Sequence, residues 1–327
     1  MYVGLIGLGN LGTAIANLVA HNGHDVIGWD HQAEVVAEIS TQHRNTRYLP
    51  SIDLHPAVSA TDDLAALLAS CDVVFVAVPA RYVESSLSPF VDAVSPETTV
   101  VNMAKGIDVK SGLTALQTLQ ELFPSNPVVM LSGPSIANEF AHGMPTVIVL
   151  AGSDRTDLLR VSTLLDNEHF RTRFSDDAIG VELGGVLKNI YAIGLGMFDG
   201  QEVSSINFRA VYLTIALEEM ARIGAAVGAR LETFLYLAGI GDLLATALSE
   251  HSHNRHMGQR LAEGLTREQV RDEMGVLPEG YSTLRATLYV AEKMHVSVPL
   301  AKGLWGVIEG HQTADRFITS LIHDFVE

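Results

Sequence analysis

Tyr2-Val3-Gly4-Leu5-Ile6-Gly7-Leu8-Gly9-Asn10-Leu11-Gly12-Thr13-Ala14-Ile15-Ala16-Asn17-Leu18-Val19 is the stretch that decides the fold. A short apolar strand runs straight into a glycine-rich turn, and the turn runs into a helix whose first residues are small. That order of strand, turn and helix is what a dinucleotide-binding fingerprint requires. Gly7 permits the tight turn, Gly9 lets a pyrophosphate approach the backbone, and Gly12 lets helix and strand pack closely, with the helix N-terminus facing the phosphates. Asn10 and Leu11 lie inside the same loop and are expected at the cofactor too. A second strand, Asp25-Val26-Ile27-Gly28-Trp29, ends in Asp30, near the distance at which an acidic side chain accepts the adenosine ribose hydroxyls. A carboxylate there repels a 2′-phosphate, so NAD is expected over NADP, with His31 beside it softening the preference.

Outward from this stretch, strand-like apolar runs recur with helical segments between them, at residues 2 to 6, 25 to 29, 73 to 78, 98 to 103, 127 to 132 and 146 to 150. Such alternation predicts a doubly wound, mostly parallel sheet, an α/β dinucleotide-binding (Rossmann) domain. From about Gly180 the pattern changes to long helical stretches, among them Ala210 to Ile223, Ser282 to Met294 and Leu300 to Gly310, with no convincing strand. The expected organisation is a cofactor domain over 1–178 and an all-α substrate and catalytic domain over 179–327, joined near Ser175 to Gly180.

Composition narrows the class of function. The 327 residues suffice for two domains with substantial cores, and 47% are hydrophobic. A net charge of −17 and the lack of any basic run argue against nucleic acid or an anionic membrane as partner. One cysteine, Cys71, allows no internal disulfide and reads as an inert buried thiol in a reducing compartment. The sequence shows neither a basic leader nor an apolar run judged long enough to span a bilayer, so the expectation is a cytoplasmic protein without membrane insertion. The apolar helical domain is compatible with a homodimer.

One residue stands out in the second half. Lys188 lies in Glu182-Leu183-Gly184-Gly185-Val186-Leu187-Lys188-Asn189-Ile190-Tyr191-Ala192-Ile193, an almost uncharged helical stretch. Gly184, Gly185 and Ala192 fall on its face, so small side chains are expected to leave a hollow around its stem. Burying an ammonium is costly unless it is paired or neutralised, and such lysines gather at functional sites because their proton affinity becomes tunable. Lys188 is the leading catalytic candidate, against the plainer reading of a lysine that snorkels or pairs structurally. The domain boundary would place it beside an interdomain cleft, where ligands favour binding.

Further motifs follow in order: Val101-Asn102-Met103-Ala104-Lys105-Gly106, Leu131-Ser132-Gly133-Pro134-Ser135-Ile136-Ala137-Asn138-Glu139, Asn207-Phe208-Arg209, Gly239-Ile240-Gly241-Asp242-Leu243, Asn254-Arg255 and Pro278-Glu279-Gly280-Tyr281. Taken with the glycine turn and the Lys188 helix, they resemble the NAD(P)-dependent glycerol-3-phosphate dehydrogenases over essentially the whole chain. The adjacency of Lys188 and Asn189 separates this resemblance from the 3-hydroxyisobutyrate and 6-phosphogluconate dehydrogenases, which the first thirty residues alone would fit equally well. The resemblance implies hydride transfer between nicotinamide and the carbon of dihydroxyacetone phosphate or glycerol 3-phosphate, with Lys188 as proton donor and acceptor. It implies a second positive charge from Lys105 on the substrate and nicotinamide side, and substrate contacts from Gly133, Ser135, Asn189, Asp242, Thr246, Ser252, His253 and Asn254. Asp242 would bind substrate hydroxyls or orient Lys188, or else only cap a helix. Ala137, Arg255 and Glu279 are implied at the cofactor. Arg209 has two readings, ligand contact or loop anchor, and Phe208 stands where the family carries a small residue.

The sequence departs from that family at Ser252-His253-Asn254-Arg255. Family members usually carry arginine at the position of His253, and that side chain is expected to meet the substrate phosphate. Arginine binds phosphate bidentately with a permanent charge, whereas histidine offers one or two donors and is mostly neutral near pH 7. Three alternatives stay open: Arg255 compensates, a protonated His253 binds phosphate, or the enzyme acts on another small hydroxy or keto compound. From a different class, the chain would be a non-catalytic NAD(H)-binding regulator, but such a sensor needs no Lys188, Lys105 or Asp242. His251 and His256 flank this loop, which is expected between helices, and no metal site is expected there because convergent carboxylates and thiols are lacking.

Overall fold

The computed structural model describes residues 1–108, 111–249 and 252–324. Its contacts divide the chain into two compact units, Met1–Lys105 with Leu113–Val181 and Gly106–Gly112 with Glu182–Glu327.

The first unit is built on an eight-stranded sheet. Its strands are β1 (Tyr2–Ile6), β2 (Asp25–Trp29), β3 (Val58–Thr61), β4 (Val73–Val76), β5 (Thr99–Asn102), β6 (Val128–Ser132), β7 (Thr146–Ala151) and β8 (Phe170–Ser175). The spatial order is β3-β2-β1-β4-β5-β6-β7-β8. All neighbours are parallel except β6 and β7, where Leu131 faces Leu150 in antiparallel register. A parallel strand is covered on both faces and so reads as a continuous apolar run. Val73-Val74-Phe75-Val76 obeys this, with every residue buried. Val3 and Leu5 of β1 pack on one face with Ala14, Ile15 and Val19 of the helix Asn10–His21. Ile6, Val74 and Val76 pack on the other with Leu64, Leu67 and Val83.

Sequence patterning misses two strands, β3 and β8, and they are the two edges of the sheet. Phe170-Arg171-Thr172-Arg173-Phe174-Ser175 alternates buried and open positions with arginine on the open side. Edge strands are commonly kept short or charged in this way, which erases the apolar run that marks a central strand. Cys71 is buried, and burial pushes its thiol up from the ordinary range.

The second unit is helical in every described element. Its centre is the part from Glu182 onward of the 23-residue helix Ala178–Gly200, whose Leu187, Ile190, Tyr191 and Phe198 are almost wholly buried. Tyr191 donates to the Glu219 carboxylate (3.1 Å), which also accepts the N–H groups of Leu300 (2.9 Å) and Ala301 (2.8 Å) at the start of the helix Pro299–Ile308. Against the expectation of no uninterrupted apolar run of membrane length stand two helices that reach that length with charges inside them, among them Glu182 and Lys188 in one and Glu232 and Asp242 in the other. Ala178–Gly200 and Leu231–Leu248 are both long and apolar enough by length and composition. In Ala178–Gly200, 78% of the apolar window is buried inside this chain, as in a core helix of a globular protein. Leu231–Leu248 contains the π-helical turn Leu237–Gly241 and the acidic Asp242.

Candidate functional site

In the first unit the glycine turn sits where the strand order reverses, with β1 between β2 and β4. Open α/β sheets bind ligands beyond the carboxyl ends of the strands at such a point. Gly7 has φ +97°, a conformation that side chains resist. A Cβ on Gly12 would lie 2.0 Å from the Gly7 carbonyl oxygen, so the helix begins pressed onto the turn. Gly9 is the N-cap of Asn10–His21, with open space where a side chain would stand and no side chain capping the helix. The Asn10 amide reaches the Tyr48 carbonyl (2.7 Å) and Asn138 Oδ1 (3.1 Å), tying the loop to the short helix that Ala137 begins.

Asp30 is buried, and its carboxylate accepts the backbone N–H groups of Leu8 and Gln32, each at 2.9 Å. It therefore braces the glycine turn against the end of β2, a role that sequence reasoning did not give it. His31 is exposed, with Nδ1 3.2 Å from the same carboxylate. Sequence reasoning also passed over Asn45, wholly buried in a polar loop, whose amide donates to Leu8 O and Thr13 Oγ1, both at 2.8 Å. A lone asparagine in His43-Arg44-Asn45-Thr46-Arg47 carries no signal of burial.

Lys105, Gly133 and Ser135 come together. Gly133 has φ +121° in the turn after β6, and its carbonyl accepts from Ser135 Oγ at 3.0 Å and faces Lys105 Nζ at 3.5 Å. This turn of backbone, hydroxyl and cation is a polar surface at the carboxyl end of the sheet.

In the second unit Lys188 forms a short ion pair with Asp242, the two side chains being 12% and 2% exposed. Asp242 is the first residue of the helix Asp242–Leu248, and its carboxylate accepts from Lys188 Nζ. Thr246, one turn on, donates its hydroxyl to the Asp242 carbonyl at 2.8 Å. The expected hollow over Gly184 is absent. A Cβ there would fall 2.3 Å from the Ala238 carbonyl oxygen, because the π-turn that delivers Asp242 packs directly on the helix at that point.

Asn254 is buried, and its Oδ1 accepts the Gly280 N–H at 2.9 Å. Gly280 in turn packs against the Asn189 carbonyl, which joins Asn189, Asn254 and the first turn of the helix Glu279–Lys293, opened by Glu279. Ser252 caps the helix His253–Ala262 by accepting from the Arg255 N–H (3.3 Å), and His253 is the exposed first residue of that helix. His253 is thus on a helix and not between helices as expected. His251 lies outside the described residues, and His256 faces Glu273 at 3.6 Å.

Arg255, expected at the cofactor, makes four side-chain hydrogen bonds within the second unit. Its Nε and Nη2 grip Asp199, and its Nη1 donates to the carbonyls of Ala247 (3.0 Å) and Ser249 (3.1 Å). Arg209 joins the same carboxylate at 2.7 Å and the Val203 carbonyl at 3.0 Å, which makes it a loop anchor. Phe208 turns its ring onto Phe198, with centroids 5.3 Å apart, so the bulk replacing a small residue is taken up by packing.

Comparison with known proteins agrees with this arrangement. Residues 2–157 match the model of the NAD-dependent glycerol-3-phosphate dehydrogenase N-terminus, and residues 177–319 that of the C-terminus. A glycerol-3-phosphate dehydrogenase, NAD(P)+, of Pseudomonas savastanoi pv. phaseolicola is 37% identical over 320 residues, covering 98% of this chain and 93% of its own. One from Sphingopyxis alaskensis is 36% identical over 324 residues, covering 99% and 97%. The crystal structure of glycerol-3-phosphate dehydrogenase from Coxiella burnetii superposes with a TM-score of 0.92 at 29% identity, covering 98% of each chain.

Proposed function

Because the chain belongs to the NAD-dependent glycerol-3-phosphate dehydrogenase family, we propose that it interconverts dihydroxyacetone phosphate and glycerol 3-phosphate by hydride transfer with NAD(H). Residues 1–178 would bind the cofactor and 179–327 the substrate. The observation that carries this reading is the Lys188–Asp242 pair, a lysine side chain 12% exposed gripped by a carboxylate side chain 2% exposed. As a ketone becomes an alcohol, negative charge grows on oxygen, and a positioned ammonium both stabilises it and supplies the proton. In the oxidative direction the neutral amine takes the proton back. Asp242 fixes where the ammonium points, and Lys105 adds positive charge beside the Gly133 turn.

The first unit fits a dinucleotide. A pyrophosphate would meet the end of Asn10–His21 over Gly9 without competition from a capping side chain. Bound NADH supplies the hydride. The phosphate of the substrate would be met by Ser252, His253 and Asn254. Here the N-terminus of the ten-residue helix His253–Ala262 contributes partial positive charge at the place where the family arginine is replaced. The exposed side chains of Leu231, Leu235, Tyr236 and Leu248 support a homodimer, and the single cysteine supports a reducing, cytoplasmic location.

The direct test follows NADH oxidation with dihydroxyacetone phosphate beside a panel of non-phosphorylated ketones. Turnover confined to the phosphate ester is expected. Turnover of another ketone alone would move the assignment to a related reductase, and none at all to a regulator. For the cofactor, we predict that the Michaelis constant for NADH is roughly tenfold or more below that for NADPH, which corresponds to about 1.4 kcal/mol of repulsion between Asp30 and a 2′-phosphate. A lower constant for NADPH would contradict this.

His253 favours a second reading, a changed substrate, and one substitution separates the two. If the substrate is a phosphate ester, His253→Arg is expected to lower its Michaelis constant by roughly tenfold, since a permanently charged guanidinium with two parallel donors replaces an imidazole. If the substrate has changed, the same substitution leaves dihydroxyacetone phosphate reduction negligible and damages activity on the true substrate.

A further inference from the structure

We infer that Asp199 and Arg255 form a second tie between the Lys188 helix and the Asp242 helix, making Asp199 a positioning residue for Asp242 and His253; this rests on the functional reading above.

Lys188 and Asp199 stand eleven residues apart on Ala178–Gly200. At 3.6 residues per turn that is just over three whole turns, so both side chains leave nearly the same face, about 16 Å apart along the axis. Lys188 grips Asp242, the first residue of Asp242–Leu248. Asp199 grips Arg255, whose Nη1 holds the carbonyls of Ala247 and Ser249 at the other end of that helix. A seven-residue helix is marginal by itself, and here both of its ends are fixed to one long neighbour.

Several features make the second tie firm. The grip on Asp199 is a two-pronged guanidinium contact, a geometry that lysine cannot copy. Arg209 adds a further hydrogen bond to the same carboxylate. Burial alone would raise the Asp199 carboxyl, but the hydrogen bonds from Arg255 and Arg209 hold it below the usual carboxylate range. The backbone is seated as well, since a Cβ on Gly196 would lie 1.8 Å from the Arg255 carbonyl oxygen. Arg255 follows His253 by two residues and Ser252 by three, so the tie also sets where the helix His253–Ala262 begins.

The test combines kinetics with amide hydrogen exchange on the full chain. Asp199→Asn replaces one acceptor oxygen with a donor facing the guanidinium. It is expected to raise the Michaelis constant for dihydroxyacetone phosphate and to lower kcat by about tenfold together, the effect of one lost charged hydrogen bond. NADH affinity, read by fluorescence titration, should stay unchanged, and exchange over residues 252–257 should quicken. Arg255→Lys should reproduce these changes, and Asp199→Glu should recover most of the loss. Faster exchange with unaltered kinetics would reduce the tie to a structural role and overturn the inference. Weakened NADH binding with normal substrate kinetics would overturn it by returning Arg255 to the cofactor. A wild-type protein inactive on dihydroxyacetone phosphate would instead sink the functional reading, while unchanged exchange in both variants would sink the tie by itself.

Discussion

Lys188→Ala is expected to fold, to bind NADH with unchanged affinity, and to reduce dihydroxyacetone phosphate roughly two to four orders of magnitude more slowly, the usual scale for removing a general acid. The reason is its setting. Its side chain is 12% exposed and paired with the Asp242 side chain, 2% exposed, so solvent water is poorly placed to supply the proton in its stead. A general acid acts in the chemical step, so the fall should appear in kcat and leave cofactor binding intact. Removing one partner of a buried pair also destabilises, by up to about 3–5 kcal/mol. The measurement therefore needs a melting curve beside the kinetics, with turnover compared well below the transition. Near-normal kcat in the purified, folded variant would remove Lys188 from the chemistry.

Why Lys188 could be read from sequence while Asp199 could not follows from what surrounds each. Lys188 is a lone charge within Gly184-Gly185-Val186-Leu187 and Asn189-Ile190-Tyr191, where any charge needs an explanation. Asp199 sits in Phe198-Asp199-Gly200-Gln201-Glu202, which looks like the solvated end of a helix. Its two arginines come from 10 and 56 residues away, and nothing in a local pattern reports a pairing at that separation. The fold shows the same contrast. Central strands announce themselves because burial on both faces demands apolar runs, as in Val73–Val76, whereas the edge strands β3 and β8 relax that demand and vanish into the background. Gly184 was visible as a small residue beside Lys188, but whether its missing side chain leaves a hollow or admits a neighbour depends on the π-turn packed against it. Asp30 was legible as an acid at the end of β2, and its bonds to Leu8 and Gln32 show that the same carboxylate also holds the glycine turn in shape.

Asp242→Asn should be nearly as damaging as loss of the lysine, lowering kcat roughly a hundredfold to a thousandfold, but by a different route that pH will expose. The amide keeps the shape and one acceptor oxygen, so the helix Asp242–Leu248 should still form and the stability loss should stay below the 3–5 kcal/mol of a fully broken buried pair. What it removes is the negative charge that favours the ammonium over the neutral amine. With Lys188 as the proposed donor, reduction of the ketone would need its ammonium, so activity would be lost as the pH rises and the proton leaves. With the carboxylate gone, that proton leaves at lower pH, and the falling limb of the reductive pH–rate profile should move toward acid. Oxidation of glycerol 3-phosphate needs the neutral amine, so its rising limb should move the same way. Both limbs displaced toward acid, with kcat for reduction falling more than kcat for oxidation at one fixed neutral pH, are the signature of an altered proton on Lys188. Were Asp242 only a substrate ligand, Asp242→Asn would raise the Michaelis constant in both directions and leave both limbs where they stand in the wild type.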